Sequence, residues 1–212
     1  MAIRAFYLRT SKYLQRHGLK SSLQRIWRET RNKLRYNRDI LFVRDLLQGG
    51  LESHPVPEGF RVEKYNKDTG MPDRLARRIG QEYSEELLRD YVGNRFSNGA
   101  CLWSLMNEAE DVGYMWTLTG RAMKPHYFPL TPRDLYIFDG FTFPSLRGQG
   151  LLCALMDEVL MHYRDEGFHR AYLETHEWNS AVVKMVPKNG FVRLGLARKA
   201  IHRNKVKVTW WY

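Results

Sequence analysis

The 212-residue sequence predicts an α+β domain carrying a basic helical N-terminal arm, and three observations support that prediction. Residues 134–160 read as an apolar strand, a Pro-Ser break, a glycine turn and an amphipathic helix. Short alternating runs at 60–65, 100–105, 112–118 and 170–175, with a closing pair at 191–202 and 205–212, read as strands. The net positive charge is concentrated in the first 38 residues, where eleven Lys or Arg stand against Glu29 alone and supply ten of the eleven net positive charges.

Within the arm, Leu19, Leu23, Ile26, Trp27 and Leu34 recur at helical spacing between Arg16, Lys20, Arg25, Arg28, Arg31 and Arg35. Such a segment suits an anionic membrane surface or a partner protein. It suits equally a helix that packs its apolar stripe on the domain and solvates its charges, and its Arg-rich, acid-poor composition is also that of a mitochondrial presequence. Nucleic acid is not expected, because the aromatics do not group with the basic residues and the rest of the chain is nearly neutral. Residues 39–47 read as a connection, which closes the arm at 48, and Gly49, Gly50, Pro55, Pro57 and Gly59 make 49–59 a linker. A compact domain is then expected over 60–212.

That domain opens with a strand at 60–65, and Pro72 is placed for the first turn of a helix reaching about residue 84. A second helix is expected over 85–96, then the hairpin 100–105 and 112–118. The long connection 120–133 holds Pro125, Pro129 and Pro132 with His126, Tyr127 and Phe128; it reads either as one wall of a binding site or as a loop packed on its own base. Leu152, Leu155, Met156, Val159 and Tyr163 give the next helix one apolar face, and Gly167 stands at its C-terminal cap. A strand at 170–175, a short helix after Asn179 and a final hairpin turning at Arg203-Asn204 complete the order.

An apolar fraction of 43% is enough for a sizeable core. No apolar run approaches the roughly 18–20 residues that span a bilayer, and the N-terminus lacks the apolar stretch of a secretory signal. The expectation is a cytoplasmic protein, soluble or peripheral at a membrane. Cys101 and Cys153 lack a metal-like spacing and fall in core segments, so buried free thiols are expected and no metal site.

The glycine turn carries the chemistry. Gly148 and Gly150 remove the Cβ atoms that would keep a phosphate from the main chain, and a helix N-terminus offers orphan N–H donors to a pyrophosphate. The turn reads Arg147, Gly148, Gln149, Gly150, Leu151, Leu152 and follows a strand ending Phe141, Thr142, Phe143; further on, residues 179–191 read NSAVVKMVPKNGF, an Asn, an amphipathic stretch and a Gly-Phe opening a strand. With both landmarks in this order, the chain from about residue 60 onward resembles the GNAT superfamily of acetyl-CoA-dependent N-acetyltransferases.

The resemblance implies a GNAT-type mixed, mostly antiparallel central sheet flanked by helices. It implies acetyl-CoA or another acyl-CoA as co-substrate and direct transfer of the acyl group to an amine in a ternary complex. The pantetheine arm is then expected at the backbone of Phe141, Thr142 and Phe143, where two parallel strands splay, with the strand around Leu173 as the neighbour. The phosphates are expected on residues 147–152, and Asn179 near the cofactor or acting only as a helix cap. Arg147 binds a phosphate on this reading or merely solvates the loop. Leu152 departs from the small residue the family pattern ends on, and Val186 stands where many members carry a Tyr that serves the leaving thiolate. Valine has no proton to donate.

Three titratable groups on the strands that should flank the thioester are candidates for the general base: Glu174, Asp139 and His176. Asp139 interrupts an apolar run and reads equally as a carboxylate paired with an Arg such as Arg133. Glu174 ends an apolar triplet or points to solvent. His176 has a suitable ordinary pKa, and a lone His at a strand end is also often structural. The acceptor is expected to be a small-molecule amine. Tyr114, Trp116, Tyr127, Phe128 and Tyr136 suit stacking on a sugar or ordinary core packing, and the layout is similar to acyltransferases of bacterial surface-polysaccharide synthesis, which suggests an amino sugar. Two other classes stay open: a long-chain acyl-CoA-dependent enzyme at the membrane, and a non-catalytic acyl-CoA-binding protein. A homodimer is among the expected assemblies.

Overall fold

The computed structural model describes residues 38–48, 54–82, 85–120, 122, 126–202 and 205–211, with isolated positions 23, 27, 30 and 31. Most of the basic arm, including Leu19, Ile26 and Leu34 of its expected docking stripe, and the turn at 203–204 lie outside the described residues.

Among the described residues eight strands form one sheet. In chain order the elements are β1 (Asp39–Asp45), β2 (Phe60–Tyr65), α1 (Asp73–Glu82), α2 (Glu85–Ser97), β3 (Cys101–Asn107), β4 (Asp111–Thr119) and β5 (Asp134–Thr142). After a 3₁₀ turn at Pro144–Leu146 come α3 (Leu151–Asp165), β6 (Arg170–His176), α4 (Ser180–Met185), a second 3₁₀ turn (Val186–Asn189), β7 (Val192–His202) and β8 (Lys205–Trp211). The spatial order is β2-β3-β4-β5-β6-β1-β7-β8. Every neighbouring pair is antiparallel except β5 and β6. The α+β class and the mostly antiparallel sheet are as the sequence predicts.

Alternation along the strands divides the core into two layers. On one face Ile40, Phe42, Leu135, Ile137, Ala171 and Leu173 pack against Leu155, Met156, Val159 and Leu160 of α3. On the other, Tyr114, Trp116, Tyr136 and Tyr172 pack against Leu75, Ile79, Leu88 and Phe96 of α1 and α2. Helix α3 ends as its glycine predicts: Gly167 has φ +82° and the Phe168 N–H donates to the Tyr163 carbonyl at 3.0 Å, closing the last turn.

The segment at 39–47 differs from its reading as a connection. Residues 39–45 form β1, hydrogen-bonded to β6 on one side and β7 on the other. Its Leu41 and Phe42 are 2% and 3% exposed. A strand covered on both faces loses the alternation that marks a half-buried one, and ILFV therefore carries no period to read. The sheet consequently includes residues assigned from sequence to the arm.

A buried polar network fastens β1 beneath α3. Arg44 donates to the Asn189 carbonyl, and Asn189 Nδ2 donates to Asp157 Oδ1 at 2.7 Å and to the Cys153 carbonyl at 2.9 Å. His54 Nδ1 lies 2.8 Å from Asp157 Oδ2. Gly190 has φ +71°, and a Cβ there would overlap the Arg44 guanidinium. Both thiols are unpaired, Cys153 buried and Cys101 partly so.

The central position of β1 sets a stability expectation. Phe42→Ala removes a core ring and should cost about 3–5 kcal/mol, read as a fall in the urea midpoint. A change near zero would show that this strand does not hold the sheet.

Candidate active site

The parallel pair β5 and β6 is registered over four residues only, from Asp134↔Arg170 to Ile137↔Leu173. Beyond that point the two strands diverge. Phe138 and Phe141 continue to pair with β4, and Glu174 to His176 continue to pair with β1. The opening is assisted by a bulge, in which Trp116 faces Phe138 and Tyr114 faces Phe141, leaving Asp139 and Gly140 opposite Met115. Asp139 occupies the left-handed region at φ +51°.

The end of β5 leads directly to the glycine turn. Gly148 and Gly150 have φ of +82° and +75°, and a Cβ at either would meet nothing within 4 Å. Only glycine adopts this backbone without strain, and the open space leaves the main chain approachable. Gly150 is the residue before α3, so the first N–H groups of that helix, at Leu151 and Leu152, point out of its N-terminus. Arg147 Nε donates to the Thr142 carbonyl at 3.0 Å and its guanidinium lies 5.3 Å from the Phe141 ring centre, which ties the turn to the strand end. Phe143 is buried, whereas Thr142 and Phe141 are partly exposed. Leu152 is packed at the bulge, with Cδ1 3.6 Å from where a Gly140 Cβ would be.

The three base candidates fall in different settings. Glu174 is the first β6 residue past the divergence. Its Oε1 lies 3.8 Å from Lys199 Nζ, and its Oε2 is buried with no hydrogen-bond partner among the described residues. Burial pushes its carboxyl above the usual range; Lys199 opposes that shift and the Asp39 charge adds to it. His176 Nδ1 sits 2.6 Å from Asp39 Oδ1. Asp139 accepts from Arg95 Nη1 and from the Tyr91 hydroxyl, both at 2.9 Å, so its partner comes from α2 in place of Arg133. Arg133 lies 3.2 Å from His169. The bulge turns Asp139 off the strand's alternation, and its carboxylate is already satisfied.

Sequence reasoning missed Asp39 and Lys199. Asp39, on β1, has one oxygen on His176 and the other accepting from the Tyr127 hydroxyl at 2.6 Å. Burial alone would raise its pKa, but the hydrogen bonds from His176 and Tyr127 outweigh burial and hold it low. Lys199 on β7 reaches Glu174 and lies 4.5 Å from the Tyr127 ring centre. The loop carrying His126, Tyr127 and Phe128 thus covers this side of the sheet. His126 lies 5.5 Å from the Tyr136 ring, and burial, then Lys199, pushes its pKa down to about 4.

One expectation needs correction. Asn179 stands at the N-cap of α4, but its side chain makes no capping hydrogen bond. Of the aromatics that suited either stacking on a sugar or core packing, Tyr114, Trp116, Tyr127 and Tyr136 are buried, as the core reading has it. Val186 is 0% exposed and packs beneath α3, so the position expected to serve a thiolate holds a core side chain. Among the described residues no group of His, Cys, Asp and Glu is arranged to hold a metal ion.

No curated protein sequence matches the chain. Among solved structures, a tandem GNAT protein from the clavulanic acid biosynthesis pathway superposes with a TM-score of 0.56 at 15% identity, covering 75% of this chain and 51% of that one. An acetyltransferase of the GNAT family from Colwellia psychrerythraea gives 0.55 at 13%, covering 74% and 53%. An N-acetyltransferase from Sphaerobacter thermophilus gives 0.54 at 15%, covering 83% and 54%. The chain therefore spans about half the length of these three proteins, and at such identity they report on fold alone. The acetyltransferase (GNAT) family profile matches residues 71–191, which include the glycine turn, the divergent strands and Glu174. That match is more than half of the sequence, and the chain belongs to the acetyltransferase (GNAT) family.

Proposed function

We propose that the chain transfers an acyl group, acetyl in the simplest case, from coenzyme A to a primary amine of a small molecule, with Glu174 taking the proton the nitrogen loses as it attacks. The observation that supports this reading is the divergence of β5 and β6 directly beside the glycine turn. Peptide groups on the two facing edges need hydrogen-bond partners, and the amides of a pantetheine arm would supply them. The helix N-terminus and Arg147 suit the pyrophosphate that ends that arm. A base buried just past the divergence, with a raised pKa and one unpartnered oxygen, suits proton removal near neutral pH.

In a ternary complex, holding thioester and amine together supplies much of the rate, and no covalent nucleophile on the protein is needed. Since Val186 has no proton to give, the leaving thiolate is protonated by water or by another group. No helix among the described residues is long and apolar enough to cross a membrane. Amino sugars belong in the acceptor panel with polyamines and simple alkylamines, and acyl chain length is read by comparing acetyl-CoA with octanoyl-CoA.

The cofactor reading predicts stabilisation. At about a hundred times its Kd, acetyl-CoA or octanoyl-CoA should stabilise the protein by about 2.7 kcal/mol, seen as a thermal shift. Gly150→Asp puts a side chain at φ +75° and a negative charge at the turn, and should abolish that shift. Stabilisation that survives in this variant would move the cofactor elsewhere.

For the chemical step, Glu174→Gln should lower amine-dependent thiol release by about a hundred-fold or more while the thermal shift by acyl-CoA persists. A protonated Glu174 cannot accept a proton, so kcat/KM should fall as pH falls through its raised pKa, an acid limb lying above that of an exposed glutamate. A flat profile down to the ordinary glutamate range would remove Glu174 from the role. Stabilisation without thiol release across the whole panel would favour an acyl-CoA-binding protein.

A further inference from the structure

Asp39 lies outside the segment matched to the family, and it is the side chain on which the acceptor-facing side of the sheet converges. In register it stands directly opposite His176, across the β1–β6 pair. One carboxylate oxygen meets His176 Nδ1 and the other the Tyr127 hydroxyl, each at 2.6 Å. The His176 ring is stacked on Trp178, with centroids 5.2 Å apart and planes at 21°. Its side chain is nevertheless 52% exposed. An imidazole this exposed contributes little to the core, yet Asp39 holds its Nδ1 and Trp178 covers one of its faces. With Nδ1–H bonded to a carboxylate, the neutral ring carries its lone pair on Nε2.

The acyl transfer proposed above, on which this inference rests, releases two protons from nitrogen. An alkylamine arrives as R–NH₃⁺. Overall, R–NH₃⁺ and the thioester give the amide, CoA–SH and H⁺: one C–N bond forms, one C–S bond breaks with its electron pair on sulfur, and two N–H bonds break. One proton ends on the sulfur and the other in water. Glu174 handles the proton lost as C–N forms, and the first proton must leave before attack.

We propose that His176 is a second base at the acceptor side, taking the first proton from the incoming alkylammonium on Nε2 and passing it to water, with Asp39 as the positioning residue that fixes the imidazole and balances its charge. Glu174 stands two residues before His176 on the same strand face. The charged and titratable groups around the pair are Glu174 on β6, Lys199 on β7, Tyr136 on β5 and Tyr127 on the loop. Arg38 and Glu177, paired at 2.9 Å, flank it in sequence. The Asp39 carboxylate stays ionised because its two donors outweigh burial.

The test compares two amines. Ethanolamine is protonated at neutral pH and needs the first proton removed; methoxyamine is already neutral. At pH 7, His176→Gln should lower kcat/KM for ethanolamine about tenfold or more and leave methoxyamine within about twofold, and raising the pH should restore part of the ethanolamine rate. In long-range ¹H–¹⁵N spectra, neutral His176 should be the Nδ1–H tautomer in the wild type and revert toward Nε2–H in Asp39→Asn. Equal losses for both amines, or a wild-type His176 in the Nε2–H form, would overturn the proposal, since a structural role slows both alike. If Asp39→Asn fails to fold, His176→Gln and the wild-type tautomer still decide. The acyl-transfer reading fails separately: it is lost if the wild type releases no thiol with any amine or if Glu174→Gln is as active as wild type.

Discussion

The candidate site depends on a hydrogen-bond ladder that stops. β5 and β6 share four registers and then part, β5 held by β4 and β6 by β1. Parallel neighbours need a crossover, and α3 provides it, packing beneath Leu135, Ile137 and Leu173. The connection leaves β5 at the same edge where the gap opens, so the N-terminus of α3 and the unpaired strand edges sit together. The bulge at Asp139 widens the opening from the β4 side, and Arg95 and Tyr91 neutralise the carboxylate that the bulge turns outward.

Charge on the side of the sheet that carries Glu174 is compensated across three strands: Asp39 from β1, Glu174 and His176 from β6, Lys199 from β7. A carboxylate that loses water survives only with partners, which is why Glu174 titrates high and Asp39, with two donors, titrates low. The opposite side of the sheet has its own network of Arg44, Asn189, Asp157 and His54. Alternation along β1 places Asp39 on one side and Arg44 on the other. One seven-residue strand therefore anchors both networks.

Much of the frame was legible in the sequence because it rests on local demands. Gly148, Gly150 and Gly167 require a left-handed backbone, and the apolar face of α3 has a clear period. What escaped depends on partners distant in the chain. β1 has no alternation because both its faces are covered, and it stood between a basic arm and a Gly-Gly pair. Tyr127, Asp39 and His176 meet only after three separate segments have folded, so no spacing announces them. The Asp139 partner is 44 residues away on a helix, and the Asn179 cap failed because composition fixes a residue's place but leaves its side-chain rotamer open. The aromatics of β4 gave two readings because a ring that stacks on a ligand and a ring that fills a core have the same composition.

The insertion of β1 also bears on how the chain reaches its native state. Its pairing with β6 joins residues as far apart as 137 positions, and its ladder to β7 spans still more. Contacts of such separation form late, because the entropy of closing the intervening loop is lost before any of them is gained. On a growing chain β1 is made first and its two neighbours nearly last. Until they meet, β6 and β7 each present an open edge flanked by apolar side chains, the kind of surface on which two unfinished copies associate. The strand that anchors the candidate site is thus also the one whose pairing closes the longest loops.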